Sequence, residues 1–194
     1  MLDQAFDFIK MVKAEFDKHE FISDYRNTIY EPLFSNSFQH CVAVLVLTKE
    51  YFHSSSEALL RPVIETYLRA MWVKYCADDT VLNKLQNNKG EFPRLSKLLE
   101  TVEKEVPAYQ GTEFLTKKIK PLISNMHDFT HGGIQSVAKQ YSGDSLSNKR
   151  APEDVKSKIN LVVFITYLIL CETSESTDTD LQFYYDKLQQ LKSL

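Results

Sequence analysis

Residues 115–140 read LTKKIKPLISNMHDFTHGGIQSVAKQ, and their periodicity decides the fold class. Leu115, Ile119, Leu122, Met126, Phe129, Gly133 and Val137 recur at steps of three and four, the spacing of one apolar seam along a single long helix. Lys120, Ser124, His127 and His131 follow the same steps on the opposite side. The seam is therefore expected to pack inward, leaving two histidines one turn apart, with a lysine on their face, turned to solvent. Such a pair marks the stretch as a site as well as a structural element.

The rest of the chain fits a helical reading. Its 194 residues suit one domain, 1–194, long enough to bury a core. Hydrophobic residues make up 43% and charged residues 25%, as in ordinary globular proteins, and 5 glycines with 6 prolines leave little turn material for a many-stranded fold. A net charge of -3 argues against a surface coated for nucleic acid, though it leaves room for a local patch. The charge is uneven. Lys117, Lys118, Lys120, Lys139, Lys149, Arg150, Lys156 and Lys158 outnumber the acids between Leu115 and Asn160, whereas Glu172, Glu175, Asp178, Asp180 and Asp186 make the C-terminal part acidic. Two solvated helix faces account for this as well as a binding patch does.

Cys41, Cys76 and Cys171 lie far apart in apolar runs, with no CxxC or Cys/His cluster, and read as buried free thiols of a reducing compartment. The N-terminal MLDQAFDFIKMVK mixes acids among its apolar residues and lacks a small-residue cleavage site, so no signal peptide is expected. The apolar runs Cys41–Leu47 and Leu161–Cys171 are too short to span a bilayer. These features point to a cytoplasmic protein with no membrane association.

In chain order, Leu2, Phe6, Ile9, Val12 and Phe16 form a first amphipathic helix, and Tyr25–Pro32 reads as a connection. CVAVLVL at 41–47 allows a buried strand or a buried helix; the pattern from Phe34 through Phe38 to Phe52 favours the helix. Ser54 with Glu57 makes a capping box, opening a helix through about Ala77 that is apolar almost all round and that Pro62 should kink. Further helices are expected around 80–86, over Phe92–Val102 and over Glu153–Glu172, with Ser142–Pro152 a polar loop, and Leu181, Tyr184, Tyr185, Leu188 and Leu191 mark the last. The sum is an all-α, single-domain bundle of about seven helices.

Three constellations carry possible chemistry. Arg61, Glu65 and Arg69 at i, i+4 and i+8 set a carboxylate between two guanidinium groups. They suit a structural ion-pair ladder, or an anion site, since arginine grips phosphate bidentately and the cations outnumber the acid. His127 and His131, with Asn125 and Asp128 beside them, suit general acid–base work or ordinary surface hydrogen bonding; no third ligand for a metal is evident, and no cofactor is implied. Gly132-Gly133 either ends the helix after His131 or admits a close backbone approach.

The stretch SEALLRPVIETYLRAMWVKYC followed by MHDFTHGGIQSVAKQYS resembles a group of uncharacterised bacterial helical proteins similar to the HEPN superfamily, helical bundles of toxin–antitoxin and phage-defence systems. The resemblance covers roughly Ser56–Glu172. It implies a metal-independent endoribonuclease acting as a homodimer on RNA, or a non-catalytic module that binds a nucleotide, a cognate antitoxin or another protein partner. Many of those enzymes place an arginine ahead of a catalytic histidine, with four to six residues between the two. His131 matches the histidine and Asn125 the asparagine that often follows the arginine, while Ser124 stands where the arginine would be. Arg61 or Arg69 on a neighbouring helix, with Lys120, are the cations this sequence offers in its place.

Overall fold

Pro62 shapes the centre of the molecule. Proline has no amide to give the carbonyl four residues back, which here belongs to Ala58, and the chain breaks there into two helices, α3 (His53–Ala58) and α4 (Leu60–Tyr75). The carbonyl oxygen of Ala58 instead faces the Thr130 hydroxyl at 3.4 Å. The expected kink is thus a break with a tertiary partner. The computed structural model describes residues 1–18, 24–142, 145–147, 149–174 and 178–192, the side chains at 124, 125, 135, 142 and 192 excepted.

Around this centre the described residues form an all-α bundle. Its other helices are α1 (Leu2–Phe16), α2 (Asn27–Lys49), α5 (Asp79–Gln86), α6 (Leu95–Glu105), α7 (Lys120–His131), α8 (Ile134–Ala138), α9 (Pro152–Thr173) and α10 (Leu181–Lys192). Eight helices reach at least seven residues, against the seven or so expected. A two-rung antiparallel ladder, Tyr141 opposite Leu146 and Ser142 opposite Ser145, is the only strand pairing among the described residues.

α4 is buried as its composition predicts, with Val63, Ile64, Leu68, Met71 and Val73 at 1% exposure or less. Its most extensive neighbour is α2, and α6, α7 and α9 also pack on it; α9 in turn carries α1 and α10. CVAVLVL and LVVFITYLIL lie in α2 and α9, so both apolar runs are buried helices. Among the described residues no helix is long and apolar enough to cross a membrane. Cys41 is fully buried, which pushes its thiol up to about 12, while Cys76 and Cys171 are only half-buried; all three are free.

Four local expectations are corrected. Tyr25–Pro32 is not a connection. α2 starts at Asn27, where the Asp24 carboxylate accepts the Arg26 and Asn27 amides at 2.8 and 2.9 Å, and the helix carries Pro32 inside it. Residues 115–140 are not one helix: a π-helical turn, Leu115–Ile119, leads into α7, and Gly132 takes a left-handed φ of 68° that ends α7 after His131. With the register shifted, Leu122 and Val137 of the drawn seam are 41% and 47% exposed, while Leu115, Ile119 and Met126 are buried as expected. Finally, Ser54 and Glu57 do not cap their helix, whose N-cap is Phe52 with no side-chain bond.

Candidate functional site

The site is built where α4 and α7 cross. Pro62 leaves the Ala58 carbonyl, at the end of α3, facing the Thr130 hydroxyl at 3.4 Å; that hydroxyl's closer acceptor is the Met126 carbonyl at 2.9 Å, and α7 packs on both α3 and α4. Arg61, in the first turn of α4, then reaches across: its Nη1 donates to Nδ1 of His127 at 2.7 Å. A guanidinium only donates, so His127 presents its Nδ1 lone pair and carries its proton on Nε2 in this arrangement. The His131 ring follows one turn on, 4.6 Å from that of His127 between centroids. Both histidines are exposed, as the sequence pattern requires.

Behind Arg61 the ladder along α4 forms as the spacing predicts. Glu65 lies 3.6 Å from Nε of Arg61 and is hydrogen-bonded by Nη2 of Arg69. The three side chains are 23–33% exposed, so the ladder is half-buried and open to solvent along one edge. Arg69 lies over the Phe92 ring at 4.9 Å, and its buried Nε–H has no hydrogen-bond partner.

The remaining expected residues divide. Asp128 sits beside the histidines, and its carbonyl accepts the Gly133 amide at 2.7 Å. A Cβ at Gly133 would lie 2.5 Å from the Asp128 Cγ, so glycine is needed there for the carboxylate to pack against the turn. Lys120 is exposed and pairs with Glu100 of α6 at 3.8 Å; among the described residues no hydrogen bond or ion pair joins it to Arg61 or either histidine. The side chain of Asn125 lies outside the described residues. Among the described residues, no three His, Cys, Asp or Glu side chains gather in a way that could hold a metal ion.

A second polar cluster lies on the other side of α3, and no expectation anticipated it. Arg150, from the segment that read as a polar loop, is buried and pairs with Glu57 through Nε–Oε1 at 2.9 Å and Nη2–Oε2 at 3.2 Å. It also donates to Ser54 Oγ at 3.1 Å and to the Lys139 carbonyl at 2.8 Å. Ser54 takes a further bond from the Gln140 side-chain amide. Next to them, Lys158 donates to Ser56 Oγ at 2.6 Å and faces His53 Nδ1 at 3.5 Å, all three at 4% exposure or less. Burial pulls the Lys158 amine down to about 8, the Glu57 carboxylate partly opposing it and the Arg150 charge adding to it. Burial likewise lowers the His53 ring, helped by Lys158 and Arg150. The available signal was Ser54 and Glu57 themselves: a capping box and an arginine-binding pair have the same spacing, and only the fold tells them apart.

No curated protein and no solved structure matches the chain. A family of unknown function, DUF6988, does match, over residues 34–190. That span runs from α2 into α10 and holds α3, α4, α7, both histidines and the Arg61 ladder. On that match, the chain belongs to the DUF6988 family.

Proposed function

We propose that this protein is a HEPN-like, metal-independent endoribonuclease whose catalytic residue is His131, with Arg61 and His127 as donors to the scissile phosphate. The observation that carries this reading is the 2.7 Å contact between Arg61 and His127. Sequence alone left the histidine pair without a neighbouring arginine; α4 brings one to it from sixty-six residues away.

In this mechanism His131 takes the proton of a ribose 2′-hydroxyl, whose oxygen attacks the adjacent phosphorus. Charge that develops on the non-bridging oxygens is met by the Arg61 guanidinium and the outward Nε2–H of His127. His131 then returns its proton to the departing 5′-oxygen. The P–O5′ bond breaks as the P–O2′ bond forms, leaving a 2′,3′-cyclic phosphate and a 5′-hydroxyl, with His131 neutral again. Asp128 and Glu65 support the histidine turn and Arg61 respectively.

A homodimer fits the same reading, because a two-fold contact uses one patch twice and exposed Leu122, Ile134 and Val137 flank the histidines. Glu65 favours a second reading. It engages both Arg61 and Arg69, leaving less free positive charge for a phosphate, as suits a non-catalytic module that binds a nucleotide or a protein partner such as an antitoxin. Purified protein on single-stranded and hairpin RNA decides between them. Cleavage that persists in EDTA, yields cyclic-phosphate ends and is lost in His131→Ala supports the nuclease. Intact RNA under every condition, with and without the product of a neighbouring gene, leaves the binding module.

A further inference from the structure

On the face formed by the 106–118 segment and α9 lies a cleft of about 380 Å³ that neither the histidine pair nor the buried arginine uses. Its lining includes Tyr109, at 7% exposure, and the half-buried Phe114 and Phe164, and its rim carries Glu113, Lys117 and Lys118. Tyr109 and Phe114 run nearly parallel, 10° apart with centroids at 6.4 Å, and Phe164 stands edge-on to Phe114 at 5.7 Å.

These walls are held from behind. The Tyr109 hydroxyl meets that of Tyr67 at 2.6 Å in the core, and its carbonyl accepts the Thr112 hydroxyl at 2.7 Å. The Glu103 carboxylate accepts the amides of Leu115 and Thr116, at 2.5 and 3.1 Å, and so pins the start of the π-helical turn. With Leu115 and Ile119 buried, Lys117 and Lys118 are turned outward to the rim. Glu113 is the one carboxylate of the lining, and Lys117 engages it at 2.6 Å; Lys118 has no ion pair among the described residues. The cleft therefore offers flat apolar faces fixed in advance and one unbalanced positive charge at its edge.

We propose that this cleft binds a small planar aromatic acid, its ring against Tyr109, Phe114 and Phe164 and its anionic group at Lys118 with Lys117. Aromatic walls recognise the flat face, and a lysine serves a carboxylate or phosphate as a point charge. The size suits such a ligand, since small-molecule sites begin at a few hundred Å³. The proposal does not rest on the nuclease reading, because it shares no residue with that site.

The test is calorimetric titration of the full chain with three probes: 2-naphthoate, its neutral analogue 2-naphthalenemethanol, and cyclohexanecarboxylate. The expected result is millimolar or tighter binding of 2-naphthoate, with each of the other two at least ten-fold weaker. The surface double variant K117E/K118E should weaken 2-naphthoate at least ten-fold with an unchanged melting temperature, and Phe114→Ala should weaken it at least ten-fold while its own circular dichroism stays helical. The proposal is overturned if 2-naphthoate does not bind, if either companion probe binds equally well, or if the lysine variant binds as the wild type does.

Discussion

Arg150 and Glu57 lie ninety-three residues apart and form a buried bidentate pair, at 2% and 6% side-chain exposure. Removing one member of such a pair strands the other charge, which typically costs about 3–5 kcal/mol. Glu57→Met and Arg150→Met are therefore each expected to lower the thermal midpoint by about 6–20 °C. The double variant E57M/R150M should lose less than the two single changes summed, because two apolar side chains leave no charge behind. Thermal denaturation of the four proteins gives the coupling directly, and additive losses would mean the pair is solvated.

Gly133 should tolerate no side chain while Asp128 stays in place. Gly133→Ala puts a methyl within 2.5 Å of the Asp128 Cγ, so the carboxylate must swing away from the turn. Adding Asp128→Ala to Gly133→Ala should restore part of the lost stability, which a double-mutant cycle in urea would measure. Gly132→Ala meets no neighbour within 4 Å but has a φ of 68°, so its cost of about 1 kcal/mol should be the same with or without Asp128.

The ladder on α4 predicts a small effect on folding and a larger one on chemistry. Glu65 is about a quarter exposed, so Glu65→Ala should cost about 1 kcal/mol, as for a solvent-screened pair, and not the several expected of a buried one. His131→Ala, at an exposed position, should change stability by less than about 0.5 kcal/mol. If the nuclease reading holds, Arg61→Ala and His131→Ala both abolish cleavage and Arg61→Lys recovers only part of it, since a lysine cannot hold His127 and a phosphate oxygen in one plane.

Lys158 gives a pH signature. Its folded value of about 8 lies below the ordinary 10.5, so between those limits the unfolded chain binds the extra proton and stability rises with pH. Below pH 8 the ammonium is charged in both states and its burial cost is fully felt. Other groups move oppositely: burial holds the Cys41 thiol and the Tyr75 hydroxyl up to about 12, so their contributions fall at high pH. The comparison with Lys158→Met isolates the lysine. Wild type should gain stability relative to that variant from pH 8 to 10.5, and a constant difference in urea titrations would place the amine in solvent.

What was legible in the sequence was whatever depends on local period. The apolar runs of α2 and α9, the core face of α4 and the outward histidines followed from spacing, because burial of a helix face repeats every three to four residues. Breaks were harder. Pro62 announced a bend, but not that one helix would end at Ala58 and the next begin at Leu60, with the freed carbonyl facing Thr130 from another helix. Leu122 fitted the seam by count and fell outside it, because the π-helical turn shifts the register by a residue before α7 begins. Arg150 was least legible of all. A charged residue among serines and lysines reads as solvated, and only its long-range meeting with Glu57 makes it a core residue.

The 132–149 stretch is tied to the same six-residue helix at three points: Thr130 faces Ala58 just before it, Gln140 within it donates to Ser54, and Arg150 just after it pairs with Glu57 and Ser54. A segment fastened at both ends to one rigid piece can change length with little effect on the bundle, since doubling such a loop adds only about 0.6 kcal/mol. The bundle thus separates a packed frame from a stretch, next to His131, whose length can change at little cost in stability. Six serine or glycine residues inserted between Ser142 and Ser145, beyond the bonds made by Lys139 and Gln140, should leave the melting temperature within about 3 °C of wild type, and a larger drop would show that the excursion itself holds the frame together.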